Sequence, residues 1–143
     1  WKISDMSKKT KPEFKHLGKT TEYPTTPESA ELETFANPAP GRNYEIFLNC
    51  PEFTTLCPIT GQPDFARIEI RYIPDKKCIE SKALKRYLFA FRNIGSFHEA
   101  VTNRILDDLV KAMKPSWIQV IGHFSARGGI AITVTAEHGK KAA

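Results

Sequence analysis

Apolar and polar side chains alternate with a period of two in two segments of the chain, residues 44–50 (YEIFLNC) and 67–72 (RIEIRY). This period is typical of β-strands that have one face on a core and the other in solvent. We therefore predict two strands, joined by a connection that spans roughly residues 51–64. Hairpin connections are usually about two to five residues long, so this connection is long for its task. Because functional side chains are often carried by loops on a rigid scaffold, residues 51–64 are a candidate site.

The period then changes to that of amphipathic helices, in which apolar residues recur every three or four positions. It predicts a first helix over residues 81–93, with Ser81 as a candidate cap, and a second helix that ends before Pro115. Ser96 and Glu99 have the S-x-x-E spacing of a capping box at the start of the second helix. The apolar positions that define the two faces are Leu84, Leu88 and Phe91 in the first helix and Val101, Ile105, Leu109 and Ala112 in the second.

Two further apolar segments, Trp117–Phe124 and Ile130–Thr135, flank the tight-turn signal of residues 127–129 (RGG) and predict a second pair of strands. The order ββααββ predicts an α+β fold, with one antiparallel four-stranded sheet and both helices on one face. Such a sheet exposes its edge strands unless another subunit covers them, so we expect an oligomer.

The N-terminal third is rich in proline, and nine of the ten prolines lie within residues 12–74. Proline restricts both itself and the residue before it, which disfavours regular helices. We expect residues 22–40 to be extended or irregular, with one helical turn near Ser29–Phe35.

The net charge of +5 is carried by the two ends of the chain. Residues 1–19 hold six lysines against two carboxylates, and residues 138–143 hold two lysines, so the remainder carries −1. We predict basic, flexible tails at residues 1–16 and 138–143 around a single domain of residues 17–137. A domain that grips phosphodiester backbones needs a basic face of its own, so this distribution argues against a direct nucleic-acid partner.

The cysteines and histidines do not have the spacing of a metal site. Cys50, Cys57 and Cys78 form no C-x-x-C pair, and the four histidines form no H-x-H or H-x-x-x-H motif. We therefore predict no metal. The odd number of cysteines, without a visible secretory signal, does not favour a disulfide framework, and no apolar run is long enough to span a membrane.

Cys57 is the candidate nucleophile, because it lies among the turn formers Pro58, Gly61 and Pro63 rather than in an apolar core run. Asp64, seven residues later, is a candidate proton donor. Taken by spacing alone, Asp64 is more often a residue that ends a loop and bonds to local backbone.

Polar residues near the helix starts are further candidates. His98 and Glu99 lie where side chains can converge on a pocket, although Glu99 has the structural alternative of the capping box. Lys82 and Lys85 are three positions apart and share a helix face, which is most often a solvated face and less often a phosphate site. Arg127, beside the glycines, could join them.

The amino-acid sequences of several segments are more informative about function than these patterns. The segments are PEFTTLCPITGQPDFARIEIRYIP (51–74), ESKALKRYLFAFRN (80–93), FHE (97–99), RGGI (127–130) and LGKTTEYPTTPESAELETFANP (17–38). Together they closely resemble the short NADPH-dependent 7-cyano-7-deazaguanine reductases, the nitrile reductases of queuosine biosynthesis. The ESK-x-LK block separates these reductases from the GTP cyclohydrolases of the same tunnelling fold, which use zinc.

The resemblance implies a role for each candidate. Cys57 matches the nucleophile that forms a covalent thioimide with the nitrile, Asp64 matches the proton donor, and His98 matches a substrate-pocket position that assists proton delivery. Glu99 is the implied partner of the deazaguanine edge. The remaining matched positions are Ile79, Glu80 and Ser81 for the substrate and Lys82, Lys85 and Arg127 for NADPH.

The resemblance also implies a cytoplasmic enzyme of the tunnelling fold, with subunits assembled into a ring-shaped barrel of two stacked pentamers and active sites between subunits. A zinc-dependent cyclohydrolase-like enzyme of the same fold is the alternative chemistry, with a purine or pterin substrate. An RNA-binding module that uses its basic ends is the non-catalytic alternative.

Overall fold

A computed structural model describes residues 14, 15, 17, 18, 20 and 22–141. It has a 3-10 turn at Pro27–Ser29 and two α-helices, α1 (Ser81–Phe89) and α2 (His98–Met113). The strands are β1 (Thr34–Ala36), β2 (Ile46–Leu56), β3 (Pro63–Ile73), β4 (Lys77–Ile79), β5 (Trp117–Arg127) and β6 (Ile130–Gly139).

The main sheet has four antiparallel strands in the order β2-β3-β5-β6, and one of its faces packs against both helices. Ile68, Ile70, Ile118 and Val120 of the central strands have no exposed surface and form the middle of the core. The large side chains buried against them are Leu84 and Tyr87 of α1, Ile105, Leu109 and Met113 of α2, and Phe91, which follows the end of α1. The predicted α+β architecture, with a four-stranded antiparallel sheet and two helices on one face, is confirmed.

The predicted long connection at residues 51–64 is wrong, because most of it is strand. β2 continues to Leu56 and β3 begins at Pro63, so the connection is only residues 57–62. A bulge between Cys50 and Phe53 shifts the register of β2 against β3. The bulge accommodates Pro51, and β2 is an edge strand, where proline is tolerated.

The N-terminal segment differs from the prediction as well. The helical turn expected near Ser29–Phe35 is instead the 3-10 turn at Pro27–Ser29, followed by strand β1. β1 pairs antiparallel with β4 in a small second sheet that the sequence did not predict. Strands this short have too few residues to show a period of two.

The helix starts are also corrected. Phe97 is the N-cap of α2 and makes no side-chain cap, so the predicted capping box of Ser96 and Glu99 is absent from this helix start. The cap of α1 is Glu80 rather than Ser81. Its two carboxylate oxygens accept the backbone N–H groups of Lys82 and Ala83, each at 2.8 Å. α1 ends at Phe89, before the predicted residue 93, and the chain continues in tight i→i+3 turns.

β6 extends to Gly139, four residues beyond its predicted end and into the predicted tail of residues 138–143. Just beyond it, Lys141 pairs with Glu45 of the β2 side at 2.9 Å. Most of the predicted tail of residues 1–16 lies outside the described residues. Neither helix of the described part of the chain is long and apolar enough to cross a membrane.

Candidate active site

Cys57 is the first residue after β2 and begins a tight loop that returns the chain to β3. Its N–H donates to the Gln62 carbonyl at 2.8 Å, and its own carbonyl accepts the Gly61 N–H at 2.9 Å. Gly61 adopts a φ of 72°, which glycine tolerates better than any other residue. The sequence therefore closes this loop around the thiol and fixes its position at the end of the strand.

Cys57 as a whole residue is only 9% exposed, yet its surroundings favour the thiolate. Hydrogen bonds from the Thr60 hydroxyl and from the backbone N–H groups of Thr60 and Ile59 lower the pKa of Cys57 to about 6, against the opposing effect of burial, and the Arg127 side chain adds to the lowering. Burial alone instead raises the pKa of Cys50 to about 11. A thiolate is the nucleophilic form of cysteine, so the surroundings favour that form at Cys57 and disfavour it at Cys50.

Asp64 lies at the start of β3 with 5% of its surface exposed, and it faces two basic side chains. Arg127 Nε lies 2.9 Å from Asp64 Oδ1 in an ion pair, and His98 Nε2 lies 3.4 Å from Asp64 Oδ2. Oδ2 and Nε2 are both buried and have no hydrogen-bond partner among the described residues. Asp64 is therefore not a residue that ends a loop and bonds to local backbone, which was the structural alternative, but a buried carboxyl group that faces two basic side chains.

His98 is held by packing as well as by its place at the start of α2. Its ring stacks on Phe124 with centroids 3.9 Å apart and an interplanar angle of 9°. Its carbonyl accepts the Thr102 hydroxyl at 2.8 Å. Phe124 is a supporting residue that sequence analysis missed, since nothing in a strand pattern shows which helix residue a core aromatic will touch.

The short link between β2 and the segment before α2 brings these elements together. Leu56 N–H donates to the Ile94 carbonyl, and Ser96 N–H donates to the Leu56 carbonyl, each at 3.0 Å. A Cβ on Gly95 would lie 3.2 Å from Pro58 Cα, so this close approach favours glycine. As a result, Cys57 lies one residue after Leu56 and His98 lies two residues after Ser96, so both are close to the same backbone contact.

Cys57, Asp64, His98 and Arg127 line one cavity of about 160 Å³. Glu99, in the first turn of α2, belongs to the same lining and is exposed. The other lining residues are Pro58, Ser96, Phe97 and Ile132. The structure thus brings together a thiol, two carboxylates, an imidazole and a guanidinium, which can supply a nucleophile and move a proton.

The other predicted site residues lie at the start of α1. Ser81 and Lys85 line a larger groove of about 460 Å³ between α1 and the bulged part of β2. Glu80 is buried as the helix cap, and Ile79 donates its N–H to the Tyr72 hydroxyl at 3.2 Å. This groove and the Cys57 cavity have no lining residue in common among the described residues. Arg127, predicted with Lys82 and Lys85, lies in the Cys57 cavity instead.

The part of the chain that the structure describes contains no group of three or more His, Cys, Asp or Glu side chains that could hold a metal ion. A second residue that sequence analysis missed, Thr60, acts on the thiol through its hydroxyl. Its only sequence signal is its place between Cys57 and Gly61.

The fold and a match to a family model place this chain in the class of QueF-like proteins. A family model described as "QueF-like protein" matches residues 63–143. The crystal structure of the archaeosine synthase QueF-Like in the apo form superposes with a TM-score of 0.60, at 22% identity, over 68% of this chain and 93% of that one. At this identity the likeness shows the fold alone.

Curated relatives are more specific. The chain is 61% identical over 120 residues to an NADPH-dependent 7-cyano-7-deazaguanine reductase from Anaeromyxobacter sp. (strain K), covering 84% of this chain and 98% of the relative. It is 62% identical over 117 residues to the enzyme of that name from Nitrosomonas europaea, covering 82% and 84%. The chain therefore belongs to the family of NADPH-dependent 7-cyano-7-deazaguanine reductases, which confirms the family that its sequence segments predict.

Proposed function

We propose that this chain reduces the nitrile of 7-cyano-7-deazaguanine to the aminomethyl group of 7-aminomethyl-7-deazaguanine, with two NADPH, in the queuosine modification of tRNA. The observation that carries the proposal is the placement of an acidic thiol, Cys57, in one cavity with the buried Asp64 and His98. The names of the relatives supply the substrate and the reductant.

The chemistry needs a nucleophile first, because a nitrile is a poor hydride acceptor. The Cys57 thiolate adds to the nitrile carbon, so that a C–S bond forms and the triple bond becomes C=N. The nitrogen takes a proton from the Asp64–His98 pair, whose facing atoms lie 3.4 Å apart. The product of this step is a covalent thioimide, and covalent catalysis of this kind divides one difficult step into easier ones.

NADPH supplies the hydrides, one in each of two rounds. After the first hydride transfer, the C–S bond breaks, the Cys57 thiolate leaves and an imine remains. After the second hydride transfer, the primary amine forms. The whole reduction consumes two protons. Throughout, the cavity must keep the thiolate and a proton source next to the nitrile group and the imine formed from it. The loop hydrogen bonds on Cys57 and the burial of Asp64 and His98 serve this purpose.

Glu99 is the proposed anchor for the heterocycle. It lies in the first turn of α2, next to His98, and its side chain belongs to the lining of the Cys57 cavity. A carboxylate accepts two hydrogen bonds side by side, which suits the ring N–H and the exocyclic amine of a deazaguanine.

The groove beside α1 is the proposed NADPH site. Lys85 and the first-turn residue Ser81 line it, and Lys82 follows at the start of the same helix. Ammonium groups near a helix N-terminus suit phosphate oxygens, including the 2′-phosphate that distinguishes NADPH. The cysteine thiol in this groove, Cys50, is held protonated by burial, so it does not compete with Cys57 as a nucleophile.

A complete site then requires two chains, because groove and cavity are separate within one chain. The outer edges of β2 and β6 have no strand neighbour within the main sheet. Pairing of these edges between subunits would close a ring-shaped barrel of the tunnelling fold, and two stacked pentamers are the proposed assembly. The groove of one subunit would there face the Cys57 cavity of the next, at a cytoplasmic location.

An adduct experiment tests the proposal without NADPH. Incubation of the protein with 7-cyano-7-deazaguanine alone should add the mass of one substrate per chain and produce a new near-ultraviolet absorbance. Cys57→Ala should abolish both signals and the substrate-dependent oxidation of NADPH, while Cys50→Ala should keep the adduct. A Cys57→Ala protein that still oxidised NADPH with substrate would rule out the covalent mechanism.

A further inference from the structure

Arg127 occupies an unusual place at the end of β5, next to the turn at Gly128 and Gly129. Both glycines have positive φ values, 58° and 80°, so the turn is one that glycine favours. The pairing of β5 with β6 is interrupted just before this turn, between Phe124 and Arg127. The interruption determines which way the Arg127 side chain points.

Phe124 pairs with Ile132, and Arg127 pairs with Ile130. The partners on β6 are two residues apart and share a face, whereas Phe124 and Arg127 are three apart and would face opposite ways in a regular strand. The extra residue of a bulge brings the side chains on both sides of it back to the same face of the sheet. Arg127 is thus brought to the face that carries Phe124, and Phe124 stacks on His98.

From this position the guanidinium reaches the buried carboxylate. Arg127 Nε forms an ion pair with Asp64 Oδ1 at 2.9 Å, and the Arg127 side chain is 38% exposed while that of Asp64 is 4% exposed. Arg127 therefore covers Asp64 on the solvent side. With one oxygen held by Arg127, the other oxygen, Oδ2, is directed toward His98 Nε2.

The same guanidinium lies close enough to the thiol to favour its charged form. The titratable and charged groups that line the cavity with Cys57 are Asp64 from β3, His98 and Glu99 from α2, and Arg127 from β5. Two of these groups are carboxyls, which carry no positive charge in either protonation state. Arg127 is the one permanently cationic side chain in the lining of this cavity.

We propose that Arg127 is a positioning residue for the chemical step, which holds Asp64 with Oδ2 directed at His98 and offsets the negative charge that Cys57 acquires. This role differs from the NADPH contact that the sequence resemblance implies. The part that concerns Asp64 and the thioimide rests on the proposed function, whereas the part that concerns the thiolate does not.

The thiolate part is tested first, on the substrate-free protein. The rate of Cys57 alkylation by iodoacetamide is followed against pH by mass spectrometry of the Cys57 peptide, in the wild type and in Arg127→Gln, Arg127→Lys and the exposed control Arg42→Gln. Arg127→Gln should move the midpoint upward by about half to one pH unit, given the usual effect of one nearby cation. Arg127→Lys keeps a positive charge, so its midpoint should lie between those of Arg127→Gln and the wild type. Arg42→Gln should leave the midpoint unchanged. An unchanged midpoint in Arg127→Gln would overturn this part.

The positioning part is tested with substrate and cofactor. Arg127→Gln should slow formation of the covalent adduct by about 10- to 100-fold, as expected when a proton-transfer pair loses its alignment. The KM for NADPH should change by less than about two-fold, since uniform binding of the cofactor is left intact. A large rise in that KM with unchanged adduct formation would overturn the proposal and leave the proposed function standing. Absence of an adduct in the wild type would instead reject the proposed function, and the alkylation result would stand alone.

Discussion

The acidity of the Cys57 thiol comes mainly from the residues that follow it in its own loop. The Thr60 hydroxyl makes the largest contribution, followed by the backbone N–H groups of Thr60 and Ile59, with Arg127 as a smaller cause. A loop whose ends are fixed by β2 and β3 keeps these donors in place before any substrate arrives. Donors that are already oriented toward a charge stabilise it without further rearrangement.

Replacement of Thr60 tests this cause at the scale of one hydroxyl group. Thr60→Val removes the strongest donor to the thiolate, so the pKa of Cys57 should rise from about 6 toward its ordinary value. The alkylation midpoint should move upward by roughly one pH unit or more, and reactivity at pH 7 should fall because less thiolate is present. Thr60→Ser should keep the low midpoint, and Thr133→Val, on an exposed strand position, serves as the control. A midpoint that stays near 6 in Thr60→Val would contradict the cause assigned here.

The sequence alone predicts a site residue best where the residue type is itself informative. A cysteine among turn formers is unusual, so Cys57 was a candidate from composition alone, whereas Asp64 needed the family resemblance. The spacing of Asp64 could not show that Arg127 and His98, from distant parts of the chain, would enclose it. The assigned roles of these residues stay predictions until the variants are measured.

At the scale of elements, two bulges displace side chains from the expected faces. Cys50 and Phe53 are three apart on β2, yet they oppose Ile68 and Ala66, which are two apart on β3. A pattern search for a period of two loses the strand at such a point. This is the physical reason that the pattern predicts a connection over residues 51–56, whereas it correctly predicts the regular strand at residues 67–72.

The Glu80 cap provides a prediction at the same scale. Glu80 is 3% exposed and both of its carboxylate oxygens accept helix N–H groups, so Glu80→Ala removes this acceptor from the N–H groups of Lys82 and Ala83. The free energy of unfolding should fall by roughly 1–3 kcal/mol, as for other lost caps and buried hydrogen bonds. Chemical denaturation at fixed protein concentration measures this change, with Ser81→Ala as the neighbouring control of small effect. Equal stability of Glu80→Ala and wild type would show that the cap is dispensable, and leave Glu80 free for the predicted role in substrate binding.

At the scale of the whole molecule, the two halves of the proposed site are separated within one chain. No sequence pattern could predict this separation, because it depends on how α1 packs beside β2 while α2 carries His98 to the other cavity. If neighbouring subunits supply the two halves, protein variants that are inactive for different reasons should complement each other.

Co-expression of Cys57→Ala with a Lys82→Ala, Lys85→Ala double variant tests this prediction. Random mixing in a ring should restore about a quarter of the wild-type rate, because each restored site needs one intact half from each kind of chain. A mixture of Cys57→Ala with Asp64→Asn is the matched control, and it should stay inactive because both residues belong to one cavity. Failure of the first mixture, with mixed oligomers verified by mass, would place the whole site within a single chain.

The contact of Leu56 with Ile94 and Ser96 has a consequence for engineering. It fixes Cys57 and His98 to one backbone anchor. Residues 90–93 connect the end of α1 to that anchor in tight turns, in which Ala90 and Phe91 are buried and Arg92 and Asn93 are exposed. Length changes in residues 92–93 should therefore be absorbed before Ile94 and should not reach the nucleophile or the imidazole. The anchor thus separates a region that can be redesigned, such as one for attaching a label, from the candidate active site, whose spacing must be preserved.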